Sequence, residues 1–213
     1  MGEIVLVRHG QANSRATNEA DYDRLSDLGR EQARWLGDWL RAHEAPFDTI
    51  LSGTLRRHRE TAAAMEVEAR PDARLNEMDY FNLGQALQDA HGVPMPEADG
   101  FAEHVPQVMR AWHAAEIQGD ESFAAFESRI TEILTGAAER GRRVLCVTSG
   151  GVIGMALRHV LDLDPDRLAH VLLPILNTSI HRFHVRPTGT ILGQFNAAPH
   201  LDLPGREVAR THY

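Results

Sequence analysis

The spacing of apolar and polar positions divides the chain into predicted strands and amphipathic helices. Residues 4–7 (Ile-Val-Leu-Val) are four apolar, mostly β-branched positions in a row, which predicts a buried strand. Leu28, Trp35, Leu36 and Trp39 recur at helical spacing, and Ser26 is a favoured N-cap just before them. Residues 47–52 predict a second strand after the break at Pro46, and residues 52–62 open a second helix. Phe101, Val105, Val108, Met109 and Trp112 form a further stripe, with Pro106 placing the start of the regular helix near itself. Phe123, Phe126, Ile130, Ile133, Leu134 and Ala137 give the clearest amphipathic stripe, closed by Gly141 as a C-cap. Residues 144–147 predict a buried central strand beside the first. A helix to residue 163 follows, and then a short one after Asp164-Pro165. Residues 178–186 and 190–196, joined by Pro187-Thr188-Gly189, predict an antiparallel hairpin at a sheet edge. Residues 204–213 read as a surface tail.

Chemistry concentrates where the first strand ends, at Arg8-His9-Gly10. Arg8 offers a planar fork of donors for a phosphate or carboxylate. His9 beside such an anion can act as nucleophile or base. Gly10 lets backbone approach a ligand closely. A strand end with solvated charges would show the same three residues, so the triplet needs support from the rest of the chain. The loop at 11–25 is long for a compact domain and carries the anion-binding candidates Asn13, Ser14 and Arg15.

Composition narrows the partners. The chain has 213 residues and a net charge of -8, which argues against general nucleic-acid binding. An anionic substrate therefore calls for a local arginine cluster. The single cysteine, Cys146, forms no internal disulfide and reads as a core thiol, which suits a reducing, cytoplasmic setting. No stretch is long enough to span a membrane, and the N-terminus runs straight into a strand without a basic and apolar stretch, so a secretory signal is not expected. The twelve histidines have no zinc-like spacing, so no metal site is expected.

Arg8-His9-Gly10-Gln11 resembles the signature of the histidine phosphatase superfamily, the phosphoglycerate-mutase-like proteins. Five further segments resemble that family in order. They are Leu25-Ser26-Asp27-Leu28-Gly29, the stretch from Ser52 through Leu55 and Arg57 to Thr61-Ala62, Leu75-Asn76-Glu77, Val147-Thr148 with Gly150-Gly151-Val152-Ile153, and Asn177-Thr178-Ser179-Ile180. A closing stretch from Asn196 to His200-Leu201 completes the series. The resemblance implies a single α/β domain over 1–213. Its three layers enclose a mostly parallel sheet, and residues 83–120 form a small helical cap insertion. It implies that His9 accepts the phosphoryl group as a phosphohistidine, that Arg8 and Arg57 clamp the phosphoryl oxygens, and that Glu77 protonates the leaving group, with Asp79 as alternative. Gly10, Asn13, Arg15 and Gly150 would line the phosphate site. No cofactor is implied, and the partner would be a small phosphorylated molecule or inorganic phosphate, with a homodimer left open.

Two positions depart from the family pattern. Ser149 stands where the second histidine belongs, and His58 stands where a small residue is usual. A serine can donate one hydrogen bond but carries no charge, and electrostatic stabilisation dominates phosphoryl transfer. Either the chain is a phosphatase with weakened turnover, compensated by His58 or His181, or it is a phosphate-binding or regulatory module. A serine-hydrolase elbow is disfavoured, because the position two before Ser149 is Val147 rather than glycine. Mutase activity is disfavoured because Arg110 stands alone where a pair of arginines would hold a second phosphate.

Overall fold

The computed structural model describes residues 2–13, 16–97, 100–136 and 141–212. Among them, six strands form one sheet: β1 (Gly2–Arg8), β2 (Thr49–Ser52), β3 (Arg70–Pro71), β4 (Arg143–Thr148), β5 (Ile180–Arg186) and β6 (Gly189–Ala197). Their order is β3-β2-β4-β1-β5-β6. β3, β2, β4 and β1 run parallel, with Ile4 opposite Val144 and Arg8 opposite Thr148. β5 and β6 add the expected antiparallel hairpin at one edge. The helices are α1 (Glu19–Tyr22), α2 (Asp27–His43), α3 (Arg56–Ala64), α4 (Tyr80–His91), α5 (Phe101–His113), α6 (Phe123–Gly136), α7 (Gly150–Leu161) and α8 (Pro165–Leu172).

Strand alternation sorts the core into layers. Val5, Val7, Leu145 and Val147 face Ala33, Leu36 and Leu40 of α2, with Ala62 and Met65 at α3. Ile4, Leu6, Val144 and Cys146 face the other way, into a cluster filled from α4 to α8. The stripe of α6 is buried at Phe123, Phe126, Ile130, Ile133 and Leu134, and each such side chain stabilises by about 1.5–3 kcal/mol. Its sixth member, Ala137, lies outside the described residues. Gly141, expected as the C-cap, has a left-handed φ of 79°, but α6 is described only to Gly136 and residues 137–140 lie outside the described residues. Ser26 caps α2 by accepting from the Gly29 N–H. Cys146 is fully buried, and burial pushes its thiol up to about 12. Thiol reagents are therefore expected to leave the native protein unmodified and to react once denaturant exposes β4, which a colorimetric thiol assay checks.

Two sequence expectations need correction, and α4, at Tyr80–His91, is a helix for which no separate element is predicted. It is capped by Asp79, whose carboxylate accepts from the Asn82 N–H. α5 begins at Phe101 and continues through Pro106. Pro106 removes one ladder hydrogen bond, but the helix buries Val105, Val108, Met109 and Trp112, which outweighs the loss. Residues 204–213 are not simply a surface tail. Ala209 is buried against Leu201, Leu28 and Trp35, and the Gln32 amide donates to the carbonyl of Ala209 and the hydroxyl of Thr211.

Gly10 proves to be a packing requirement. A Cβ there would lie 2.2 Å from the Gly29 carbonyl oxygen, and one on Gly29 would lie 2.1 Å from the Gln11 carbonyl oxygen. The loop after β1 thus rests on backbone of α2. Gly10→Ala is expected to destabilise the fold by at least about 2 kcal/mol, since neither backbone can yield, and a thermal melt checks it.

Candidate active site

Because β1 and β4 are parallel and in register, their carboxyl ends place His9 and Ser149 side by side, where open α/β sheets bind ligands. The backbone around His9 is fixed from three sides. Its N–H donates to Thr148, and its carbonyl accepts from the Thr178 N–H and the Asn177 amide. The His9 ring is 2% exposed, with Nδ1 2.7 Å from the Gly10 carbonyl oxygen. A carbonyl only accepts, so Nδ1 carries the proton and Nε2 keeps its lone pair. Burial, then the charges of Arg57 and Arg8, hold His9 well below the usual histidine range. Gly10 donates its N–H to the Thr61 hydroxyl, which in turn donates to the Arg57 carbonyl and ties the loop to α3.

Both predicted arginines are buried there. Arg8 donates to the carbonyls of Ile175 and His212, and its buried Nε has no partner among the described residues. A Cβ on Gly150, the first residue of α7, would stand 3.7 Å from that Nε. Arg57 is 1% exposed and pairs with Glu19 and with Asp23, the latter at 3.2 Å. Its guanidinium also lies over the Tyr22 ring, and its Nε is likewise unpartnered. The N-terminus of α7 adds its own attraction for an anion.

Glu77 is held against α7. Gly151 donates its N–H to Oε2 at 2.8 Å, and Met78 donates to Oε1 at 3.2 Å. Burial raises the pKa of this carboxyl, while the two N–H groups and the charges of Arg57 and Arg8 oppose the rise without cancelling it. Asp79 serves instead as the α4 cap, so Glu77 has the better claim to carry a proton at the site. Beside it opens a cavity of about 390 Å³, whose wall includes Glu19, Asn76, Glu77, Asp79, Trp112 and Asp120.

The structure therefore gathers Arg8, His9, Gly10, Arg57, Glu77, Ser149 and Gly150 around one point. Asn13 instead staples the loop by donating to the Asp21 carbonyl. Ser14 and Arg15 lie outside the described residues. Sequence reasoning missed Glu19, Tyr22 and Asp23, which come from the one-turn α1 and surround Arg57. The available signal was Asn18, an N-cap followed by acidic residues, and it accepts from the Asp21 N–H as that pattern predicts. It also missed the pairing of His58 with Ser149, whose Nε2 and Oγ lie 2.6 Å apart.

Comparison with known proteins places this arrangement. The chain is 28% identical over 221 aligned positions to a metal-independent phosphoserine phosphatase of Arabidopsis thaliana, covering 95% of this chain and 84% of that protein. Its fold is similar to a phosphoserine phosphatase of Entamoeba histolytica crystallised with phosphoserine. The TM-score is 0.70 at 18% identity, over 94% of this chain and 100% of the other. It is also similar to a mycobacterial glucosyl-3-phosphoglycerate phosphatase in complex with inorganic phosphate. There the TM-score is 0.63 at 24% identity, over 95% and 100% of the two chains. The sequence profile of the histidine phosphatase superfamily, branch 1, matches residues 4–198, and the chain belongs to that superfamily.

Proposed function

We propose that the protein hydrolyses a small phosphomonoester by passing its phosphoryl group through Nε2 of His9. The observation that carries this reading is a neutral, buried imidazole with Nδ1 bonded to the Gly10 carbonyl and two guanidinium charges close by. Nε2 attacks phosphorus as the bond to the ester oxygen breaks, and Glu77 gives its proton to that oxygen. The resulting carboxylate then takes a proton from water, whose oxygen attacks phosphorus and releases His9. Arg8, Arg57, Ser149 and the first turn of α7 hold the phosphoryl oxygens throughout. The relatives named for phosphatase activity on small phosphorylated molecules support the assignment.

The cavity beside Glu77 receives the leaving group. Its wall is rich in carboxylates, and Arg129, the one arginine among the described residues that line it, is bonded through Nε and Nη2 to both carboxylate oxygens of Glu121. A leaving group with its own anion is disfavoured there, which also speaks against a bisphosphate and hence against mutase chemistry. Glycerol phosphate is expected to be turned over at least about tenfold more efficiently than 3-phosphoglycerate, as measured by kcat/KM.

A phosphate-binding module without turnover is the second reading, favoured by the uncharged Ser149 beside His9. Steady-state release of phosphate from p-nitrophenyl phosphate separates the two. His9-dependent turnover supports the enzyme. No turnover, with inorganic phosphate still raising the melting temperature, supports the module.

A further inference from the structure

His58 and Ser149 form a buried pair, in which the proposed mechanism sets Ser149 against the phosphoryl oxygens and leaves His58 without a role. Both are 0% exposed, and they come from different elements, the first turn of α3 and the N-cap of α7. The His58 ring lies 5.7 Å from the His9 ring, centroid to centroid. Its slot is made by two small residues. On one side a Cβ at Gly53 would lie 2.0 Å from His58 Nδ1, and on the other Ser149 Oγ meets Nε2 at 2.6 Å. Gly53, His58 and Ser149 are therefore one packing solution: an imidazole enters from α3 because positions 53 and 149 leave it room.

The tautomer follows from hydrogen bonding. His58 Nδ1 is buried and has no partner among the described residues. An orphaned buried N–H costs more than an acceptor left idle, so the proton sits on Nε2 and is donated to Ser149 Oγ. That bond turns the serine's own proton outward and leaves it to be donated elsewhere. Ser149 follows Thr148, whose carbonyl accepts the His9 N–H, and its hydroxyl bonds the His58 ring that lies 5.7 Å from the His9 ring, so the pair borders the group on which phosphorus would sit.

We propose that Ser149 and His58 act as a relay: Ser149 Oγ donates to a phosphoryl oxygen held on His9, and His58 Nε2–H orients and polarises that hydroxyl. Ser149 is the residue in contact with the phosphoryl group, and His58 is a positioning residue acting through it. No proton leaves either residue in the transfer itself. The bond from His9 Nε2 to phosphorus forms, the ester bond breaks, and the leaving oxygen takes its proton from Glu77. The pair thus supplies from α3 the imidazole that the loop after β4 lacks. This rests on the phosphohistidine reading and extends it to how the site manages charge without a second histidine on β4's loop.

The test is a mutant cycle on the full chain with p-nitrophenyl phosphate, each variant checked by thermal melt. Ser149→Ala is expected to lower kcat about a hundredfold with little change in KM. His58→Ala should cost about as much, and the double variant no more than either single, because the two act as a unit. His58→Gln, which keeps a donor and most of the volume, should recover part of the loss. Ser149→His alone should lower kcat, since His58 already fills the space, whereas His58→Ala with Ser149→His should recover most of it. Additive losses, a rise in kcat for Ser149→His alone, or no recovery in the exchanged double variant would overturn the relay. If the wild type turns nothing over, the same cycle is read in orthovanadate affinity by calorimetry, and additive losses there overturn it equally. Turnover that survives His9→Ala would instead defeat the phosphohistidine reading itself, and the two failures are thereby told apart.

Discussion

His9→Ala is expected to lower kcat for any phosphomonoester by on the order of 10⁴-fold or more while leaving the fold intact. The size follows from what the imidazole does. On the proposed reading it is the nucleophile, a neutral imidazole beside the charges of Arg57 and Arg8, and its backbone, fixed by Thr148, Thr178 and Asn177, does not depend on the ring. Removing the ring leaves Arg8, Arg57 and the α7 N-terminus in place, so inorganic phosphate should still raise the melting temperature of the variant. Loss of activity with retained phosphate binding is the pattern of a missing nucleophile. Loss of both would mean that the ring supports the pocket rather than the reaction.

Glu77→Gln carries the second large effect, and it depends on the leaving group. For an alkyl phosphate, whose alkoxide is a poor leaving group, kcat should fall about 10² to 10⁴-fold. For p-nitrophenyl phosphate, whose phenolate leaves without help, the loss should be much smaller. The pH profile gives an independent reading. Burial raises the Glu77 pKa, and the donor must be protonated, so kcat for the alkyl ester falls as pH rises through that raised value. The His9 pKa is lowered, and its neutral form is the nucleophile, so its protonation should produce no loss of activity near the usual histidine pKa of about 6.5. Glu77→Gln should remove the alkaline limb without moving the acid side. An unchanged alkaline limb would assign the proton to another group.

Much of the fold was legible because its signals are local. The run at residues 4–7 and the stripe at 123–134 each predict an element that the structure contains. Ser26 read as an N-cap, and it is one. The strand–glycine–helix segment at 147–153 carried enough pattern to place β4 beside β1. Where the sequence misled, a distant contact decided. Pro106 argues locally against helix, yet the buried face of α5 prevails. Residues 204–213 look like a polar tail, yet Arg8 and Gln32 reach across to the carbonyls of His212 and Ala209.

The site divides in the same way. Arg8, His9, Arg57 and Glu77 sit in segments with recognisable spacing, and the structure brings them together. The partners of Arg57 do not announce themselves, because Glu19 and Asp23 come from a one-turn helix with no apolar face. Gly10 reads as a place where a ligand can approach the backbone, and its missing Cβ also makes room for the Gly29 carbonyl, which no sequence pattern announces. Ser149, which the family resemblance sets in the place of a histidine, has the His58 imidazole 2.6 Å from its hydroxyl. That pairing joins positions 91 residues apart, and only the folded chain brings them together.

The most direct test of the central claim is rapid acid-free quenching of the enzyme during turnover of a ³²P-labelled phosphomonoester, followed by measurement of protein-bound label. A phosphohistidine predicts label that is stable in alkali, lost in acid and absent from His9→Ala. Turnover with no trapped label, or with acid-stable label that persists in His9→Ala, would contradict the account.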